Sequence, residues 1–148
     1  MPAEGGESRW KVKEIEDHAD VRKIAYESRE TAMQRAEQKA DILMLSPADK
    51  DSMLASVPEG GFIVLRLAGK SLKAANPESW TVVVSDISGQ ELYRTKGNHK
   101  KVKYSGSDTY KSDDHISIPV AVSDSFKVFI IDRIHEIRNE YLITRKVK

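Results

Sequence analysis

The sequence predicts an α+β fold, an N-terminal helical segment followed by an antiparallel β-sandwich of immunoglobulin-like or C2-like kind. Three observations carry this expectation. Before Pro58, apolar residues recur at three- and four-residue steps. After Gly61 they alternate from one residue to the next. Beyond that point no helical pattern separates the strands, which argues against a doubly wound α/β sheet.

Residues 1–16 read as a flexible lead-in or a short edge strand. Gly5 and Gly6 stand among polar neighbours, then Trp10, Val12 and Ile15 appear among charges. Residues 17–58 read as the helical segment. A first helix is expected over about residues 20–45, which hold neither Gly nor Pro between Val21 and Leu45. Its stripe is Val21, Ile24, Ala25, Ala32, Met33, Ala36, Ala40, Leu43 and Met44, and Asp17 and Asp20 are the candidate caps. A second helix is expected over residues 47–56. Ser46 can accept from the Asp49 amide, Pro47 suits the first helical position, and Pro58–Glu59–Gly60–Gly61 ends the segment.

Residues 61–148 make up the sandwich. Phe62–Leu67 is apolar on both faces, as a central strand is. Trp80–Asp86 and Glu91–Thr95 flank Ser88–Gly89 and read as a hairpin. Val102 and Tyr104 alternate with Lys101 and Lys103, and residues 105–114 read as a polar loop. His115–Val122 is a strand in which Pro119 favours an edge or a bulge. Phe126–Asp132 is the most apolar strand, and Glu140–Lys146 is the last.

The composition bounds the chemistry. Of 148 residues, 39% are apolar and 32% charged, enough for a core, with no apolar run near the roughly 20 residues of a spanning helix. Cysteine is absent, which removes disulfides, thiolate zinc sites, iron–sulfur clusters and cysteine nucleophiles. Residues 1–60 carry nine Lys/Arg against thirteen Asp/Glu, and residues 61–148 fifteen against ten, an asymmetry that bears on solubility and names no partner. Nothing in the first residues reads as a secretory signal, and both an extracytoplasmic and a cytoplasmic location stay open.

Three groups of residues are candidates for function. Asp113, Asp114 and His115 could ligate a divalent cation if a second loop met them, and carboxylates at strand ends (Asp86, Asp124 and Asp132 besides) suit the hard oxygen chemistry of calcium. No cofactor is expected, and calcium is the one these carboxylates leave open. Arg94, Lys96, Lys100, Lys101 and Lys103 form a basic stretch beside Tyr93 and Tyr104. Such a stretch can hold an anion by charge, with aromatics available for stacking. The stripe of the first helix is expected to pack on its own sheet, and left uncovered it could meet a partner helix. No Gly-x-Ser-x-Gly elbow and no phosphate-cradling glycine loop is present, so the expectation leans away from an enzyme.

Residues 62–96, with Leu72–Lys73–Ala74–Ala75, Thr81–Val84 and Arg94–Thr95–Lys96, resemble the opening of a C2 domain. The Asp–Pro–Tyr segment that would bring a calcium ligand is missing, because Pro77–Glu78–Ser79–Trp80 stands in its place. No calcium or lipid function is therefore carried over. The expected function is a non-enzymatic binding or structural module with a protein or cell-envelope partner. The alternatives are a divalent-cation-binding domain or metal-dependent enzyme using the loop carboxylates, and an anion-binding module using the basic 94–103 hairpin. Nucleic acid is not an expected partner.

Overall fold

The computed structural model describes residues 9–16 and 21–146. The candidate caps Asp17 and Asp20, and the lead-in before Arg9, lie outside the described residues. Nine strands form two sheets, both antiparallel throughout. In chain order the elements are β1 (Trp10–Glu16), β2 (Val21–Glu27), α1 (Arg29–Ile42), α2 (Pro47–Ala55), β3 (Phe62–Gly69) and the short α3 (Leu72–Ala75). A 3₁₀ turn (Pro77–Ser79) leads into β4 (Trp80–Asp86), β5 (Glu91–Lys96), β6 (Lys103–Gly106), β7 (Thr109–Ser117), β8 (Ser125–Asp132) and β9 (Ile137–Arg145). The five-stranded sheet runs β1-β9-β8-β4-β5 and the four-stranded sheet β2-β3-β7-β6, and neither closes into a barrel.

One hydrophobic cluster joins the sheets. Ile63, Leu65 and Leu67 of β3 and Ile116 of β7 come from one side, and Val82, Val84, Phe126, Val128, Ile130, Tyr141 and Ile143 from the other. Alternation accounts for this, since every second side chain of a strand faces the same way. Trp80 is fully buried, and its indole N–H donates to the Ala74 carbonyl at 2.9 Å. Trp10, Tyr26 and Phe126 close one end of the core with edge-to-face rings whose centroids lie 4.9–5.9 Å apart.

The helix expected from about residue 20 begins only at Arg29, where Ser28 accepts from the Thr31 amide. Val21–Glu27 is instead an edge strand paired with β3. The reason is a register shift between Val21 and Lys23. It brings Val21, Ile24 and Tyr26 to one face although the first two are three residues apart, the spacing of a helix. The N-terminal part is thus not a purely helical segment, because a strand of each sheet precedes the helices. The first helix also stops at Ile42 rather than residue 45, and Leu43 and Met44 are exposed.

The polar loop expected over residues 105–114 is mostly strand. β6 and β7 form a hairpin, and residues 109–114 belong to β7. Two inward positions there are polar, Ser112 and Asp114, which hides the alternation. The Ser112 hydroxyl donates to the Ala75 carbonyl at 2.5 Å. β7 ends at Ser117, before Pro119, and β9 begins at Ile137 rather than Glu140. No helix among the described residues is long and apolar enough to cross a membrane.

Candidate functional site

The site lies on the outward face of the four-stranded sheet, at the end away from α1 and α2. Leu65 and Leu67 point into the core, so Arg66 between them points out. Lys23 stands opposite Arg66 across β2 and β3, and Asp113 opposite it across β3 and β7. Two residues along, Lys103 of β6 stands directly opposite Lys111 of β7. These residues border a hollow of about 620 Å³, together with Lys100 and Lys101 from the segment that precedes β6. Among the described residues, six cationic side chains and one carboxylate line it. Asp113 pairs with Arg66, at 3.5 Å. Lys23, Lys101, Lys103 and Lys111 have no ion-pair partner among the described residues.

Like charges directly opposite each other destabilise an antiparallel pair. Here two such pairs, Lys23 with Arg66 and Lys103 with Lys111, border one hollow. An anion placed between them turns repulsion into attraction.

Residues 97–102 cross from the five-stranded sheet to the four-stranded one, and they are held tightly. The Gly97 amide donates to the Trp80 carbonyl at 3.0 Å, and a Cβ at Gly97 would run into the Pro77 carbonyl. Asn76, buried, accepts from the Lys100 amide at 3.3 Å and donates to the Lys100 carbonyl at 3.1 Å. Asp114 is 1% exposed. Its carboxylate accepts from the Asn98 amide at 2.8 Å, from Asn98 Nδ2 at 3.0 Å and from the His115 amide at 2.9 Å. Lys100 Nζ stands 3.8 Å from it. Two buried polar side chains therefore fix the backbone that carries Lys100 and Lys101. A buried carboxylate is tolerated because three donors and a cation answer it.

The basic stretch read from the sequence divides in two. Lys100, Lys101 and Lys103 line the hollow. Arg94 and Lys96 lie on β5, in the other sheet. Arg94 is bound to Glu91 through both Nε and a terminal nitrogen, at 2.9–3.3 Å, and that hydrogen bond holds the Glu91 carboxyl below its ordinary range. Lys96 borders a recess of about 140 Å³ with Tyr93, Asn98 and His115. The stacking partner is displaced as well. Tyr104 pairs with Tyr110, rings edge to face at 5.3 Å, one position along from Lys103 and Lys111 and so on the opposite face of the hairpin.

Asp113, Asp114 and His115 are consecutive residues of β7, so their side chains alternate. Asp114 goes inward to the loop, while Asp113 and His115 stay exposed on the other face. The strand does not bring the three together, and no group of three His, Asp or Glu among the described residues is placed to hold a metal ion. Asp132 serves a turn, accepting from the Ile134 and His135 amides and bonding the His135 ring at 2.7 Å. Asp86 likewise bonds Ser88 and the Gln90 amide, which lowers its carboxyl.

Lys23, Arg66 and Lys111 are members of the site that the charge run does not contain. A hairpin reading across Ser107–Asp108 would have set Lys111 against Lys103. Lys23 and Arg66 are brought in only by the order of the strands.

Fold and site together define a two-sheet antiparallel β protein with a basic hollow on one face. Compared with protein-family models, with curated proteins and with solved structures, the chain matches none of them.

Proposed function

We propose that the chain is a non-enzymatic binding module, a β-sandwich that holds an anionic ligand in the hollow bordered by Lys23, Arg66, Lys100, Lys101, Lys103 and Lys111. The observation that carries this reading is the pair of like-charge cross-strand contacts facing one hollow. An ordinary solvated surface intersperses signs and does not set lysine against lysine without relief. The rigid seat of Lys100 adds support, because a pre-placed cation loses little freedom on binding. The described residues that border the hollow are mostly cations, and the hydroxyl of Ser112 among them is taken up by the Ala75 carbonyl.

The test is retention on heparin. Lys101→Glu, Lys103→Glu and Lys111→Glu together should bring the eluting salt concentration down to the void, with circular dichroism unchanged. A triple variant that elutes with the parent overturns the reading.

A protein or cell-envelope partner is a second reading. It is supported by the exposed Ile42, Leu43 and Met44, at 80%, 54% and 88%, at the C-terminal end of α1 and just past it.

A further inference from the structure

We propose that the ligand of the basic hollow is a compact, multiply phosphorylated molecule that carries no aromatic base. The inference deepens the anion-binding reading and rests on it.

Spacing comes first. The row holding Lys23 and Arg66 and the row holding Lys103 and Lys111 are two residues apart, roughly 7 Å along the strands. β2 and β6 are three strand intervals apart, about 14 Å. One phosphate between Lys103 and Lys111 leaves Lys23, beside an Arg66 already met by Asp113, unanswered. Charges spread over about a nanometre satisfy both rows.

The choice of cation is the second argument. Arginine offers a planar fork that matches carboxylate and phosphate alike, whereas lysine is a compact point charge that answers an anion by its charge density. The one arginine of the site already faces Asp113, and the five other cations are lysines. A phosphate brings about two negative charges to such points where a carboxylate brings one. Shape is the third. The hollow, at about 620 Å³, has the size of a small-molecule site. Among the described residues no ring lines it, and Tyr104 and Tyr110 are turned to the opposite face of their hairpin, so these residues offer a nucleobase no stacking surface.

The probes are inorganic phosphate, tripolyphosphate, inositol hexakisphosphate, hexaglutamate and a single-stranded oligonucleotide, titrated calorimetrically at one ionic strength. Tripolyphosphate and inositol hexakisphosphate should bind at least about tenfold tighter than the other three. Their affinity should fall steeply with added salt. Lys103→Gln with Lys111→Gln, milder than charge reversal, should erase that preference with the fold intact. Phosphatidylcholine vesicles doped with phosphatidylinositol bisphosphate separate the two sources of this chemistry. Cosedimentation displaced by free inositol hexakisphosphate points to a lipid headgroup, and its absence beside tight soluble binding points to a free phosphate.

Hexaglutamate or the oligonucleotide binding as tightly as tripolyphosphate overturns the ligand class. So does failure of both polyphosphates to bind. In either event a loss of heparin retention in the charge-reversed triple variant leaves the anion-binding reading standing. Retention unmoved by that variant removes both.

Discussion

At the helix end of the four-stranded sheet, Arg35 of α1 closes on both oxygens of Glu27 at 2.7 and 2.9 Å and lies 6.0 Å from the centre of the Phe62 ring. Beside it the Tyr26 hydroxyl donates to the Gly60 carbonyl at 2.7 Å. At the other end of the same sheet Lys23 faces Arg66, and Lys103 faces Lys111. One end answers Arg35 with Glu27. The other collects like charges and spends buried polar groups, Asn76 and Asp114, on holding a loop beside them. The comparison teaches that pairing, rather than the density of lysines along the chain, separates a binding surface from a solvated one. The β4–β5 hairpin makes the same point, because Arg94 is as basic as Lys103 and is consumed by Glu91.

The largest effect expected from breaking this contrast is at Asp114. Asp114→Ala strands two backbone amides and Asn98 Nδ2, and should lower unfolding stability by about 3 kcal/mol in urea titrations. It should also weaken anion binding, by releasing Lys100. Destabilisation with affinity unchanged would show that the loop does not position the site.

Tyr26 probes the opposite end. Burial, with Glu30 adding to it, pushes its hydroxyl up to about 12 from an ordinary 10. The folded state therefore favours the protonated form. Its contribution is complete below pH 10 and is lost as pH rises from 10 toward 12. Tyr26→Phe should cost about 1 kcal/mol at neutral pH and flatten this part of the alkaline profile, with heparin retention unaltered.

The smallest effect is the sharpest in sign. Lys111→Glu relieves the repulsion with Lys103 and should stabilise the free protein by about 0.3 kcal/mol at low salt while weakening anion binding. A control, Glu27→Gln, should lose no more than about 0.5 kcal/mol after allowance for solvent screening and leave binding alone. If Lys111→Glu destabilises the chain instead, the facing lysines are not in conflict and the contrast between the two ends dissolves.

The legibility of the chain followed the same division. β4 and β8 could be read because Val82, Val84, Phe126, Val128 and Ile130 alternate without interruption. β2 could not, since its register shift imitates helical spacing, and β7 could not, since Ser112 and Asp114 occupy inward positions with polar atoms. Ser46 was readable as a cap because its partner is the Asp49 amide, three residues on. For the site, Lys100, Lys101 and Lys103 are neighbours in sequence and were visible. Lys23 and Arg66 are separated from them by most of the fold, and only strand order makes them neighbours. Charge type can be seen in a sequence, but charge pairing is a property of register, which one sequence does not display.

The placement of the first two strands has a consequence for how the molecule holds shut. β1 borders the five-stranded sheet and β2 the four-stranded one, and the Trp10 and Tyr26 rings meet between them, 4.9 Å apart. β1 and β2 thus act as a clasp rather than an appendage. Trimming them would strip a border from each layer and open the seam over Phe126.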